Sequence, residues 1–189
     1  MRASIRPAVG KEGIMNRKIL AFCLLPFLIH GCANSLTSDI SIETEANSKI
    51  DFKGYKTYSW IGTAAIVNDP EGRWAPPAFD ADAEITFLIN RELHARGMVE
   101  TQVDPDMLVF YGAGIDMQSM EIKIDPNTDL EQMVNVPKGA LTVLLIDAAS
   151  ELAIWGGAAI AEVKQDPDPE VIRKRLAYAI EKMFARLPK

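Results

Sequence analysis

The chain has 189 residues, 48% hydrophobic and 24% charged, the balance of one ordinary globular domain with room for an N-terminal extension. Its formal charge of −6 is unevenly spread: residues 1–31 hold five Lys/Arg and one acid, so the rest carries 15 basic and 25 acidic side chains, a net of −10. A body that acidic repels phosphate backbones and anionic headgroups, which excludes nucleic acid as a partner and leaves charge unable to hold the chain on a membrane.

The first element in chain order is an apolar run, Ile19–Ile29, eleven residues long. It is too short to cross a bilayer, which takes about 20 residues, but it fits the apolar core of a signal peptide behind the positive pair Arg17-Lys18. Met15 just ahead is the expected true start, with a longer n-region from Met1 as the alternative. Residues 1–31 are therefore expected to be removed. Leu28-Ile29-His30-Gly31-Cys32 resembles a lipobox, an aliphatic residue and a small residue before the cysteine, with His30 an unusual occupant. Cys23 lies in the discarded core, so Cys32 has no disulfide partner left and is expected to be acylated. The alternative is a buried or free thiol in an uncleaved anchor. Several acyl chains hold a protein stably where one would not. Ala33 follows the cysteine where Asp would mark retention in the inner membrane of many Gram-negative bacteria. The expected location is thus the periplasmic face of the outer membrane.

Residues 32–50 read as the acylated cysteine and a polar tether, with a short strand at its end as one option, and residues 51–189 as a single domain. Tyr55–Ile61 alternates as a strand, with Tyr58 and Trp60 on the face of Phe52. Residues 62–78 are broken by Pro70, Gly72, Pro76 and Pro77. Asp80 is positioned to cap a helix whose buried stripe is Ile85, Leu88, Ile89 and Leu93, with Gly97 as its left-handed terminator. Met107–Ile115 is apolar enough for a central strand, and Gly112 and Gly114 within it predict a bulge or a close backbone approach. Residues 116–138 are ambiguous: Met120–Ile124 could continue the sheet, and Asp125–Asp129 forms a turn. The segments around Ala148-Ala149-Ser150 predict an antiparallel hairpin. The last helix opens with Asp168 as cap and Pro169 at its first position, and buries Ile172, Leu176, Ala179, Ile180, Met183 and Leu187. This order predicts an α+β two-layer sandwich, an antiparallel-rich sheet with two helices packed on one face.

Three stretches in sequence, DFKGYKTYSW (51–60), LHARGMVETQVDPDMLVFY (93–111) and KGALTVLLIDAASELAIWGG (138–157), resemble the bacterial lipoprotein family called domain of unknown function 4136. The resemblance covers most of residues 51–188. Gly156 departs from it, since a basic residue is expected between Trp155 and Gly157. It implies an envelope lipoprotein and implies no catalytic residues.

Chemistry-bearing side chains are few. With His30 removed, His94 is the remaining histidine, set on the helix flank away from the apolar stripe, where it reads as a solvated surface residue. One His and one acylated Cys make no zinc cluster, so no metal and no cofactor is expected. The carboxylate pairs Asp104/Asp106 and Asp147/Glu151 read as turn chemistry, with cation binding or acid–base catalysis as the less favoured alternatives. Trp60 and Trp155 are expected in the core. Trp74, beside Arg73 in the Pro-rich loop, is the candidate contact for a partner, against the alternative that it packs the loop down. The expected function is a non-enzymatic, lipid-anchored module that binds another envelope protein or supports the envelope. The alternative is a carrier of a lipid or small ligand, held in an apolar groove between sheet and helices under a Met-rich lid at 116–138.

Overall fold

The computed structural model describes residues 36–164 and 167–188. The proposed signal peptide, Met15 and Cys32 lie outside those residues. Eight strands and two helices follow in the order β1 (Ser41–Ala46), β2 (Thr57–Asn68), α1 (Ala81–Ala95), β3 (Val99–Glu100), β4 (Met107–Asp116), β5 (Met120–Ile124), β6 (Glu131–Asn135), β7 (Lys138–Asp147), β8 (Ala153–Glu162) and α2 (Pro169–Phe184). Six strands form one sheet in the order β1-β8-β7-β4-β2-β3, and β5 pairs with β6 in a separate ribbon.

The fold is α+β, but the sheet is mixed. The β1–β8, β8–β7 and β7–β4 pairings are antiparallel, whereas β2 runs parallel to both β4 and β3. The cause is α1: a helix between β2 and β4 is the crossover that a parallel pair requires. Strand alternation carries Tyr58 and Trp60, then Met107, Val109 and Tyr111, then Leu141, Val143 and Leu145, then Trp155 and Ala159, onto one face. There they meet Ile85, Leu88, Ile89 and Leu93 of α1 and Ala179, Ile180, Met183 and Phe184 of α2 in one core, with Trp60 half-buried at its margin. Tyr58 and Trp60 both donate to Asn90 Oδ1 of α1, at 2.8 and 3.1 Å, and Tyr111 donates to Asp82. Phe184 of α2 stacks obliquely on Trp155, centroids 5.2 Å apart. Gly157 lies under the Trp155 ring: a Cβ there would stand 2.6 Å from its Cη2 and 3.1 Å from Met183 Sδ.

The helix boundaries follow the sequence signals. Asp80 accepts from Ala83 N at 3.0 Å, Asp168 from Glu170 N at 2.8 Å, and Gly97 ends α1 at φ +79°. Three expectations need correction. The tether does not run to residue 50, because β1 is a full edge strand of the sheet, and Arg175 of α2 holds Asp39 with two bonds of 2.8 and 2.7 Å. The same guanidinium takes the Leu36 carbonyl. Gly112 and Gly114 mark no bulge in β4, whose register is unbroken against β7; the shift lies in β2, between Trp60 and Gly62. Met120–Ile124 does not extend the main sheet but forms the β5–β6 ribbon.

Candidate functional site

The β5–β6 ribbon continues the β4–β7 pair beyond the body as an arm: Asp116 faces Lys138 at the end of the sheet, and Met120 faces Asn135 at the start of the arm. Its two faces differ. Glu121 and Lys123 turn to one side, where Glu121 pairs with Lys138 and Lys123 lies 3.8 Å from Glu162. Lys138 holds the Glu121 carboxyl below its ordinary pKa. The register puts Met120, Ile122, Ile124 and Met133 on the other side, exposed at 48%, 67%, 63% and 68%. A two-stranded ribbon is marginal in water on its own, and an apolar face left open on one is uncommon on soluble surfaces.

The loop after β2 secures the base of this arm. Asp69 accepts from Trp74 N at 2.7 Å, which closes a turn through Gly72 at φ +65° and holds the Asp69 carboxyl below its usual pKa. Arg73 then reaches the arm: it donates to Met117 O at 2.7 Å and Asn135 Oδ1 at 3.3 Å and pairs with Glu71 at 3.3 Å. Asn135 Nδ2 donates in turn to Met117 O and Ser119 O at 3.1 and 3.0 Å, stitching the break between body and arm. Glu71, Arg73, Gln118, Met120 and Asn135 line an open groove of about 410 Å³ there. Of the two predicted contact residues, Arg73 is engaged in this clamp and Trp74 is half-buried beside it. Sequence reasoning finds the Met120–Ile124 strand and the Asp125–Asp129 turn, but not the returning strand, because Glu131–Asn135 carries no apolar alternation to mark it.

Two of the four carboxylates, Asp106 and Asp147, accept hydrogen bonds that hold strand ends and turns. Asp106 accepts from Lys56 N, Thr57 N and Thr57 Oγ1, all at 2.8 Å, which fixes the start of β2 and lowers its pKa. Asp147 accepts from Ser150 Oγ and N at 2.6 and 2.7 Å and from Tyr55 OH at 2.8 Å; those bonds lower its pKa, while burial and then the Asp147 bond push Tyr55 up to about 12. Asp104 sits at φ +44° before Pro105 in a separate shallow groove with Leu108, Ala148 and Ala149, and Asp147 is not among that groove's lining residues. His94 is exposed, as expected, yet its Nε2 lies 3.2 Å from Tyr58 OH, so it closes the polar cluster over Asn90. Burial first, then Glu100, raises Tyr58 to about 12. Between sheet and helices, where a carrier would need its groove, Tyr58, Ile89, Leu93, Val109, Leu145, Ile180, Met183 and Phe184 are fully buried and fill the space. Among the described residues, no group of His, Cys, Asp and Glu is arranged to hold a metal ion, and no helix is long and apolar enough to cross a membrane.

No functionally curated protein matches the chain. Among solved structures, a DUF4136 family protein from Bacteroides thetaiotaomicron is 9% identical with a TM-score of 0.51, covering 78% of this chain and 95% of that one. A PDZ domain protein from Parabacteroides distasonis is 14% identical (TM-score 0.48), and this chain spans only 36% of its length. A PelC dodecamer structure from Paraburkholderia phytofirmans is also 14% identical (TM-score 0.40), covering 78% of this chain and 98% of that one. At these identities the likeness to the Bacteroides protein concerns the fold alone. The sequence pattern of the family described as Domain of unknown function (DUF4136) matches residues 42–189, and the chain belongs to that family.

Proposed function

We propose that this protein is a bacterial envelope lipoprotein, carried by acylated Cys32 at the periplasmic face of the outer membrane, and that it binds another envelope protein without catalysing a reaction. The observation that carries the reading is the open apolar face of the arm, Met120, Ile122, Ile124 and Met133, beside the Arg73–Trp74 loop. Covering one such side chain fully is worth about 1.5–3 kcal/mol. Four of them supply enough to offset part of the cost of association, and nothing among the described residues covers them. We read the helices as packed on one face of the sheet in two layers, and no residue of the arm belongs to the core. The seven residue steps from Cys32 to Asp39 reach at most about 25 Å, so the partner contacted would stand close to the membrane.

The test is photo-crosslinking in cells from position 122 of the full chain, with position 74 alongside and Lys174, exposed on α2, as the reference position. A discrete protein adduct from 122 that fades when Cys32→Ala abolishes acyl labelling supports the reading. Equal adducts from 122 and 174, or lipid-sized adducts alone, refute it.

A further inference from the structure

The two edges of the main sheet are treated differently. At the β1 edge, Glu43 and Glu45 alternate along the strand, α2 packs beside it, and Arg186 takes the Ile42 carbonyl. At the other edge β3 covers only Thr57 and Tyr58 of β2. From Ile61 to Asn68 every residue is exposed, none is charged and none is proline, with Ile66 exposed at 71% and Val67 at 48%. Charges, prolines and covering elements are what keep natural sheet edges from pairing, and this edge has none of them.

The shift at Ile61 sets which groups this edge offers. Tyr58 and Lys56 turn their carbonyls toward β3, accepting from Thr101 N and Val99 N. Past the shift the phase reverses: Asn68 O accepts from Met117 N at the end of β4. Asn68, Ile66 and Ala64 therefore direct their backbone groups inward to β4, and Thr63, Ala65 and Val67 direct theirs outward. Three N–H and three C=O groups are thus presented by three successive outward residues.

We infer that β2 of one chain pairs antiparallel with β2 of a second copy, about a two-fold axis at Ala65. In this register Ala65 faces its own counterpart and Thr63 faces Val67, so all six outward groups of each strand find partners. On the helix side the β-branched Thr63 and Val67 come together; on the other side Ile66 packs against the small Ala64 of the second chain. An identical strand is the occupant this edge fits, because any charge near a two-fold axis meets itself, and this strand is uncharged in a body that otherwise repels its own copies. The result joins two six-stranded sheets into one. The inference is independent of the partner-binding reading above, which uses the arm and not this edge.

Single cysteines in the full chain test the register. Opposed residues in an antiparallel pair have Cα atoms about 4.5–5.5 Å apart, within disulfide range. With a mild added oxidant, Ala65→Cys forms a linked homodimer in membranes. Ala64→Cys links to differently tagged Ile66→Cys when the two are co-expressed, and neither links to itself. The unsubstituted chain, with Cys23 and Cys32, is the blank, and Glu45→Cys on the β1 edge is the collision control. Ala65→Lys, which leaves far-ultraviolet circular dichroism unchanged, weakens dimerisation at least tenfold in sedimentation of the detergent-solubilised chain. Linkage no greater than that of Glu45→Cys, self-linkage at Ala64 instead of Ala65, a link to a different protein, or dimerisation indifferent to Ala65→Lys would each overturn the proposal.

Discussion

Gly157→Ala tests how the sheet and α2 fit together. The residue has an ordinary strand backbone, so the change does not act through φ; it acts through space. The added Cβ would stand 2.6 Å from Trp155 Cη2, 3.0 Å from Cζ2 and 3.1 Å from Met183 Sδ. Trp155 is 2% exposed and wedged against Phe184, so its ring has nowhere to move without displacing α2. Overpacking of this kind costs about 1–3 kcal/mol, against about 0.5 kcal/mol gained by removing a flexible glycine. The net loss is about 1.5 kcal/mol, or about 3–6 °C in Tm for a domain of this size. Gly156→Ala is the matched control on the opposite face, where the nearest atom is Leu144 Cδ2 at 3.3 Å, the far end of a flexible side chain. Its effect stays within about 0.5 kcal/mol. Thermal unfolding of the two variants, followed by circular dichroism, decides the matter. Equal shifts, or a Gly157→Ala shift under about 1 °C, would refute the argument.

Arg175→Met removes the two bonds to Asp39 and strands a carboxylate that is 16% exposed; charge-assisted bonds of this kind are worth about 1.5–3 kcal/mol. Tm falls by about 4–8 °C, and protease cleavage before residue 41 appears at lower protease concentration than in the parent. Asn90→Ala orphans Trp60 Nε1 and leaves Tyr58 OH with His94 Nε2 alone, at a cost of about 2 kcal/mol, whereas Tyr58→Phe leaves Asn90 its second donor and costs about 1 kcal/mol; urea titrations giving the reverse order contradict the cluster described here. The carboxyls of Asp39 (held by Arg175), Asp106 (by the amides of Lys56 and Thr57), Asp147 (by Ser150) and Glu121 (by Lys138) all have folded pKa values below their unfolded ones. The stability they add is complete above about pH 4.5 and is lost as pH falls through the lowered values, so Tm is level from pH 7 to 5 and drops below pH 4. A decline beginning between pH 7 and 5 would contradict this.

The helices were legible because their signals are local: a cap, a stripe and a terminator lie within little more than one helix length of each other. Asp80, Ile85–Leu93 and Gly97 sit as their spacing requires, and Asp168-Pro169 likewise. The family's Trp155-x-Gly157 pattern also has its physical reason in the ring lying over the glycine. What the sequence hid depends on distant partners. Residues 41–46 read as the end of a tether with a short strand as one option; only β8, more than 100 residues away, makes them an edge strand of the sheet. Arg175 reads as one more cation on a helix until Asp39 is brought to it from 136 positions earlier. The parallel pairing of β2 and β4 follows from the crossover helix and was open to deduction from chain order. The arm was legible only in its first strand and turn, since Glu131–Asn135 lacks the alternation that marks a strand, and the Arg73 clamp needs Asn135 from 62 positions later.

The Asp39–Arg175 clasp also fixes an order of events. A chain made from its N-terminus presents residues 36–46 first, yet neither β8 nor Arg175 is there to receive them until the rest has followed. Closing a loop of that length costs more conformational entropy than any local step, so this segment is fastened last. Until then Ser41–Ala46 has no strand to pair with and Asp39 no cation to hold it. The described chain's first strand is therefore the one whose bonds wait for its last helix, and the edge of the sheet at β8 stays open until both arrive.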